Sequence, residues 1–257
     1  MLHLDSLSYA WPGTGQNCIT RLSLTIAPGE WVALAGDNGA GKSTLLRLAA
    51  GLLRPDAGHA LFRGQELADY TAAQRANHIG VLFQEAEHQI FHSTVYDEVA
   101  FGLRRRKLPA TEIKRRTLQA ITDCGLDDVI QLHPLDLHAG QRRMVAVAGL
   151  SAAAPSFLLL DEPGRDFDAV WLTRFESWLA LQQGAGTTIL AISHDFDFIA
   201  RHFPRVVHLE AGKIIADGSA QSVLYHPQLQ SPGVLPAPTL HSLRRALSSK
   251  TEPPKTE

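Results

Sequence analysis

A small disulfide scaffold is excluded first, because the 257-residue chain has too few cysteines to build one. Cys18 and Cys124 are the only two; they lie far apart in no metal-ligand spacing, which fits reduced thiols. Charge of one sign is also missing. Lys and Arg number 24 against 26 Asp and Glu, a formal net charge of -2 with a pI near 6.6. A chain whose main partner is a nucleic-acid backbone is usually clearly basic, so no nucleic acid is expected as a partner. No apolar run is long enough to cross a bilayer. The longest, Met144 to Leu160, has 17 residues and is interrupted by Ser151, Pro155 and Ser156, whereas a spanning helix needs about 20 mostly apolar residues. The first residues lack the Lys/Arg-led apolar segment of a signal peptide, so none is expected. Gly and Pro, at 20 and 14 residues, are not enriched, and 45% hydrophobic residues suffice for a packed core. A disordered or collagen-like chain is thereby excluded.

What is present is an α/β pattern. Leu22, Leu24 and Ile26 alternate with polar residues, and after Pro28-Gly29 comes the apolar run Trp31 to Ala35, two strand signals. Gly36 to Gly41 reads as a loop, and Lys42 to Gly51 has helical spacing with Leu45, Leu46, Leu48 and Ala49 on one face. Gly58–Phe62 and Ile79–Phe83 are further strand candidates. From Glu85 the pattern turns helical: Val99, Leu103, Ile113, Leu118 and Ile121 recur between charged residues. This predicts a helical subdomain at about residues 85–140, inserted in the core. The runs Phe157–Leu160 and Thr188–Ile192 are apolar throughout, as suits strands buried on both faces of a parallel sheet. Val206–Leu209 and Lys213–Ala216 flank Gly212 as a closing hairpin. The main domain is expected over residues 1–228, with a Pro- and Ser-rich extension over 229–257 whose last residues are expected to be disordered.

Two segments carry the chemistry. Gly36-Asp37-Asn38-Gly39-Ala40-Gly41-Lys42-Ser43 fits the phosphate loop G-x-x-x-x-G-K-[ST], set between a strand and a helix. Its glycines let the backbone N–H groups converge on phosphates, Lys42 neutralises β/γ-phosphate charge, and the Ser43 hydroxyl can hold Mg2+. Phe157 to Glu162 is an apolar strand ending in two carboxylates. Asp161 can reach Mg2+ through water, and Glu162 can accept the proton of an attacking water. His194, after the Thr188–Ile192 strand, can hydrogen-bond the γ-phosphate, and the Gln84 amide can contact Mg2+ and the water.

In this order the motifs resemble the nucleotide-binding subunits of ABC transporters, over nearly the whole length. The resemblance implies a RecA-like P-loop core with an N-terminal antiparallel β-subdomain and an inserted α-helical subdomain, the ABC ATPase fold. It implies ATP and Mg2+ as ligands. Trp11 (or Tyr9) falls where the family stacks adenine, and Thr44 follows the phosphate loop. Gln84 matches the Q-loop glutamine, Asp161 and Glu162 the Walker B pair, Asp168 the D-loop aspartate, and His194 the switch histidine. Within the family, the stretch Phe83 to Phe91, then Thr94-Val95 and Asp97 to Gly102, looks like the energy-coupling-factor group. That group powers vitamin and transition-metal uptake through integral membrane subunits, from the cytoplasmic face of the cell membrane. Glu87 matches an acidic position that receives their coupling helices, while His88 replaces another.

The family signature Leu-Ser-Gly-Gly-Gln stands here as Leu137-His138-Ala139-Gly140-Gln141. In the family it serves ATP on the opposite subunit, so His138, Ala139, Gly140 and Gln141 are expected to act in trans. The lost hydroxyl and the added Cβ predict a heterodimer with a second, similar ATPase rather than a homodimer. The D-loop stretch Gly164 to Asp168 also departs from the family pattern. Two competitors are a soluble ABC-type ATPase acting on nucleic acid or ribosomes and the ATPase of an ordinary ABC importer or exporter. A subunit that binds ATP without hydrolysing it is a third, opposed by Glu162 and His194. The basic runs Arg104–Lys107 and Lys114–Arg116 are expected to form the solvated face of the helical insertion. His88 and His92 have a metal-like spacing with no clear third ligand.

Overall fold

Alternating and continuous apolar runs build two different sheets in the computed structural model, which describes residues 1–13, 15–85 and 90–225. Strands β1 (Leu2–Ala10), β2 (Asn17–Ile26), β3 (Trp31–Ala35), β4 (Ala57–Phe62) and β5 (Gln65–Glu66) span the first quarter. All but β3 form an antiparallel sheet in the order β2-β1-β4-β5 among the described residues. Period two puts Leu2, Leu4, Leu7 and Tyr9 of β1 and Ile19, Leu22, Leu24 and Ile26 of β2 on the buried face. The β1–β2 register slips between Leu4 and Leu7. Ser6 and Arg21 absorb the slip with φ of 51° and 46°, a bulge that bends the pair.

The second sheet holds β3 with β6 (Ile79–Leu82), β7 (Phe157–Asp161), β8 (Thr188–Ile192), β9 (Arg205–Glu210) and β10 (Lys213–Ser219). Its order is β10-β9-β3-β8-β7-β6, parallel except for the antiparallel hairpin β9–β10. Every residue of β3, β7 and β8 is buried, as their unbroken apolar runs require. One face, with Val32, Leu34, Leu159 and Leu190, packs on helix α1 (Lys42–Ala49) and the antiparallel sheet. The other, with Ala33, Leu158, Leu160 and Ala191, packs under helices. Each buried Leu contributes about 1.5–3 kcal/mol relative to exposure.

After α2 (Ala72–His78), helices α3 (Val95–Arg105), α4 (Ala110–Asp123) and α5 (Ala139–Ala153) follow β6. They pack on one another through Val99, Leu103, Ile121, Met144 and Val147. Since α5 also touches β6, it joins the helical layer to the parallel sheet. Helices α6 (Ala169–Gly184), α7 (Phe196–His202) and α8 (Ala220–Leu224) complete that side. No helix among the described residues is long and apolar enough to cross a membrane. The expected boundary at 228 and the stretch beyond it lie outside the described residues.

The basic runs do not behave as one solvated face. Arg104 pairs with Asp97 at 2.7 Å and Arg115 with Glu112 at 2.7 Å, as expected. Arg106 instead turns inward and donates to the carbonyls of Ala153 at 2.6 Å and Ala76 at 2.7 Å. It serves as a half-buried hydrogen-bond donor at the end of α3, because open carbonyls there need partners.

Candidate active site

The phosphate loop leaves the sheet where β3 ends at Ala35 and enters α1 at Lys42. The turn is tight enough to require glycine. Gly36 has φ of +141°, and a Cβ there would overlap the Leu209 carbonyl oxygen of β9; at Gly41, φ +102°, it would meet Ile19 Cδ1 at 2.8 Å. Gly36→Ala is therefore expected to cost about 1–3 kcal/mol of stability and to weaken ATP binding. Thermal unfolding and nucleotide titration measure both, and unchanged values would mean that β9 yields freely. Lys42 is 6% exposed. Its Nζ donates to the carbonyls of Gly36 at 2.7 Å and Asp37 at 2.9 Å, bridging the mouth of the loop. Burial pulls its pKa down, opposed by Glu162, Asp37 and Asp161.

A cavity of about 510 Å³ opens above the loop, lined by Trp11, Cys18, Asn38, Gly39, Gly41, Lys42, Ser43 and Thr44, and by Gln84, Asp161, Glu162 and His194. The loops that follow β3 and β6, the start of α1 and the ends of β7 and β8 thus meet at the carboxyl ends of parallel strands, where ligands of open α/β sheets bind. Gly36, Asp37 and Ala40 form the loop's backbone rather than the lining. Of the two aromatic candidates, Trp11 lines the cavity, while Tyr9 is buried behind it with the rings edge-on at 5.3 Å. The Trp11 indole donates to Thr44 Oγ1 at 3.3 Å, and the Arg47 guanidinium lies 5.8 Å from its ring centre.

Glu162 follows the last residue of β7 with φ of 50°, a left-handed backbone that disfavours a Cβ. Its N–H donates to Ile192 O at 2.9 Å. Oε2 accepts from the His194 N–H at 3.3 Å. Oε1 is buried without a hydrogen bond, 3.5 Å from His194 Nε2. Burial raises the Glu162 pKa, opposed by His194 and Lys42. Burial also raises that of Asp161, opposed by a Ser43 hydrogen bond and by Arg47 and Lys42. Ser43, Gln84 and Asp161, all with oxygen-bearing side chains, line the cavity, and Ser43 hydrogen-bonds Asp161. Such a sparse oxygen set fits Mg2+, which is held by one or two carboxylates, substrate phosphates and retained waters. Among the described residues no three His, Cys, Asp or Glu side chains gather into a metal-ligand group. His92 Nδ1 lies 3.0 Å from Glu98 Oε2; His88 lies outside the described residues, as does Glu87.

The signature residues stand apart. His138, Ala139, Gly140 and Gln141 do not line the cavity; they open α5. The lost serine hydroxyl does not leave this helix uncapped, because His138 Nδ1 accepts from the Gln141 N–H at 3.4 Å. Its ring meets Trp171 edge-on, and a Cβ on Gly140 would press on the same indole at 3.0 Å. Asp168 caps α6 through the N–H groups of Val170 and Trp171. Sequence reasoning missed two participants. Cys18 faces the cavity and donates to Thr44 Oγ1 at 3.3 Å, a placement that its spacing from Cys124 does not signal. Arg143, in the second turn of α5, reaches the backbone around Glu162; no local pattern flags it.

The ABC transporter family profile matches residues 19–165. An energy-coupling factor transporter ATP-binding protein of Acetivibrio thermocellus is 34% identical over 237 residues, covering 91% of this chain and 84% of that protein. An ABC transporter ATP-binding protein of Methanosarcina acetivorans is 36% identical over 223 residues, but these are 36% of its length. The chain thus spans less than half of several curated relatives that it matches. Among solved structures, cbiO1 of Clostridium perfringens, part of the ABC transporter complex cbiONQ, is 29% identical with a TM-score of 0.79, covering 95% of this chain and 98% of that one. An ATP-binding cassette dimer bound to ADP and Pi shares the fold at 23% identity and a TM-score of 0.78, covering 86% of this chain and 99% of that one. The chain therefore belongs to the ABC transporter family of ATP-binding subunits, and within it to the energy-coupling-factor type.

Proposed function

We propose that the chain hydrolyses ATP to power uptake of a transition-metal ion or a vitamin through a separate membrane subunit, at the cytoplasmic face of the membrane. The observation that carries this reading is Glu162, held by backbone bonds beside a phosphate loop with His194 against its carboxylate. Trp11 stacks on adenine. The loop N–H groups bind the phosphates, and Lys42 exchanges the Gly36 and Asp37 carbonyls for β/γ oxygens. Glu162 accepts the proton of the attacking water, and His194 donates to the γ-phosphate. Mg2+, when bound by Ser43, Asp161 and Gln84, supplies neutralising charge at the phosphate oxygens.

His138 to Gln141, away from this cavity, serve the ATP of a second subunit. With His138 and Ala139 altering the signature, that subunit is a different ATPase whose own signature completes the site at Lys42. Transmission to the membrane subunit runs through the region after Gln84. A groove of about 620 Å³ adjoins Gln84, Phe83 and Glu85 and is walled by Phe91 and Phe101. Phe91 is 76% exposed, an apolar contact offered to a partner helix. Purifying the tagged protein from detergent-extracted membranes tests the reading. Recovery with an integral membrane subunit and a second ATPase supports it. Recovery of the chain alone, or with ribosomes, removes the transport function and leaves the ATP site. Recovery with a membrane subunit and no second ATPase removes the heterodimer.

A further inference from the structure

Arg143 is 2% exposed, and its guanidinium donates to main-chain oxygens on two segments that border the cavity. Nη1 donates to Gln84 O at 2.7 Å. Nη2 donates to Glu162 O at 2.6 Å and to Asp161 O at 3.2 Å, and Nε to Pro163 O at 3.2 Å. One side chain of α5 thereby joins the loop after β6 to the end of β7. These bonds draw on all three guanidinium nitrogens, an arrangement that a lysine, with a single nitrogen, cannot reproduce.

The bond to Glu162 falls at a backbone position that needs support. A non-glycine residue in the left-handed region persists only when its surroundings fix it. At Glu162 the N–H is held by Ile192 O, and the C=O is held by the Arg165 N–H at 3.1 Å and by Arg143. Removing Arg143 takes away one of the two bonds on the Glu162 carbonyl and leaves it to the Arg165 N–H alone, and it also withdraws the bonds to the Gln84 and Pro163 carbonyls.

We propose that Arg143 is the positioning residue for Glu162, setting its carboxylate from α5 and coupling it to movements of the Gln84 loop and of the signature end of that helix. A shift of α5 against a partner's nucleotide, or of the Gln84 loop against a membrane subunit, then moves the carbonyl of Glu162. This rests on the reading of Glu162 as general base.

The test compares the full-length wild type with Arg143→Lys, Glu162→Gln and the double variant, all in the assembled ATPase complex. Arg143→Lys is expected to lower kcat by about 10²-fold, the usual consequence of a misplacement near 1 Å, with the Kd for ATP unchanged. In the Glu162→Gln background the same change adds no further loss. A purely structural role would instead lower thermal stability and multiply fully with the loss in Glu162→Gln. That result, or wild-type kcat in folded Arg143→Lys, overturns the proposal. If the lysine variant does not fold, Arg143→Gln, which removes the buried charge and keeps an N–H donor, is read by the same criteria. Normal turnover by Glu162→Gln alone overturns the base reading and this proposal with it. A slow Glu162→Gln beside a fast Arg143→Lys overturns only the proposal.

Discussion

Glu162→Gln is expected to slow ATP turnover by about 10²–10⁴-fold, the usual worth of a positioned general base, while ATP still binds. The amide keeps the size of the side chain and can still accept from the His194 N–H, but it cannot take a proton from water. Lys42 and the loop N–H groups, to which the proposed mechanism gives the phosphates, are untouched. Single-turnover hydrolysis and equilibrium nucleotide binding separate the two effects, and a variant that hydrolyses normally removes Glu162 from the mechanism. The wild-type pH profile carries a second signature. Burial raises the Glu162 pKa above its ordinary value of 4.5, so activity should rise with pH along an acid limb lying above that value. Stability runs the other way. The folded protein holds this proton more tightly than the unfolded chain, so the contribution is full below 4.5 and is lost as pH rises through the folded value. Glu162→Gln removes that loss.

Lys42→Ala should act on binding first. A hydrogen bond to a charged group contributes about 1.5–3 kcal/mol, which predicts a rise of about 10- to 100-fold in the Kd for ATP. ADP should suffer less, because the role proposed for the lost ammonium is on the β- and γ-phosphates. The variant also leaves the Gly36 and Asp37 carbonyls without the donor that bridges them. The nucleotide-free loop should therefore loosen, with faster amide exchange over residues 36–41. Lys42→Arg does not restore the site, because a planar guanidinium is broader than the ammonium seated between those two carbonyls. Equal weakening of ATP and ADP would place Lys42 on the α-phosphate side instead.

The groove beside Gln84 and the cap on α5 show where local chemistry gives way to three-dimensional context. Phe91 and Phe101 line the same opening although ten positions separate them, because the turn into α3 brings the His92 ring against Phe101. His138 reads as a defect when compared with serine, yet its ring nitrogen lies at the height from which a serine hydroxyl would accept the helix N–H. Arg106 sits inside a run of four basic residues, and only packing of α3 against neighbouring carbonyls separates it from the others.

The sequence by itself determined the phosphate loop, the strands that carry Asp161, Glu162 and His194, and the parallel core. Those features are local: a Gly-rich turn between a strand and a helix, and unbroken apolar runs such as Leu158 to Leu160, have one economical conformation each. The alternation of Leu22, Leu24 and Ile26 made the antiparallel layer legible for the same reason. Helix α6 was not, because Val170 and Leu181 are exposed while Trp171 and Phe175 are buried, so apolar residues mark no single face. Only the tertiary structure decided between Trp11 and Tyr9, brought Cys18 to the cavity, turned Arg106 inward and set Arg143 behind Glu162. Each of those depends on which backbone lies opposite, and the 59 positions between Gln84 and Arg143 carry no periodic signal that a carbonyl at one end will meet a guanidinium at the other.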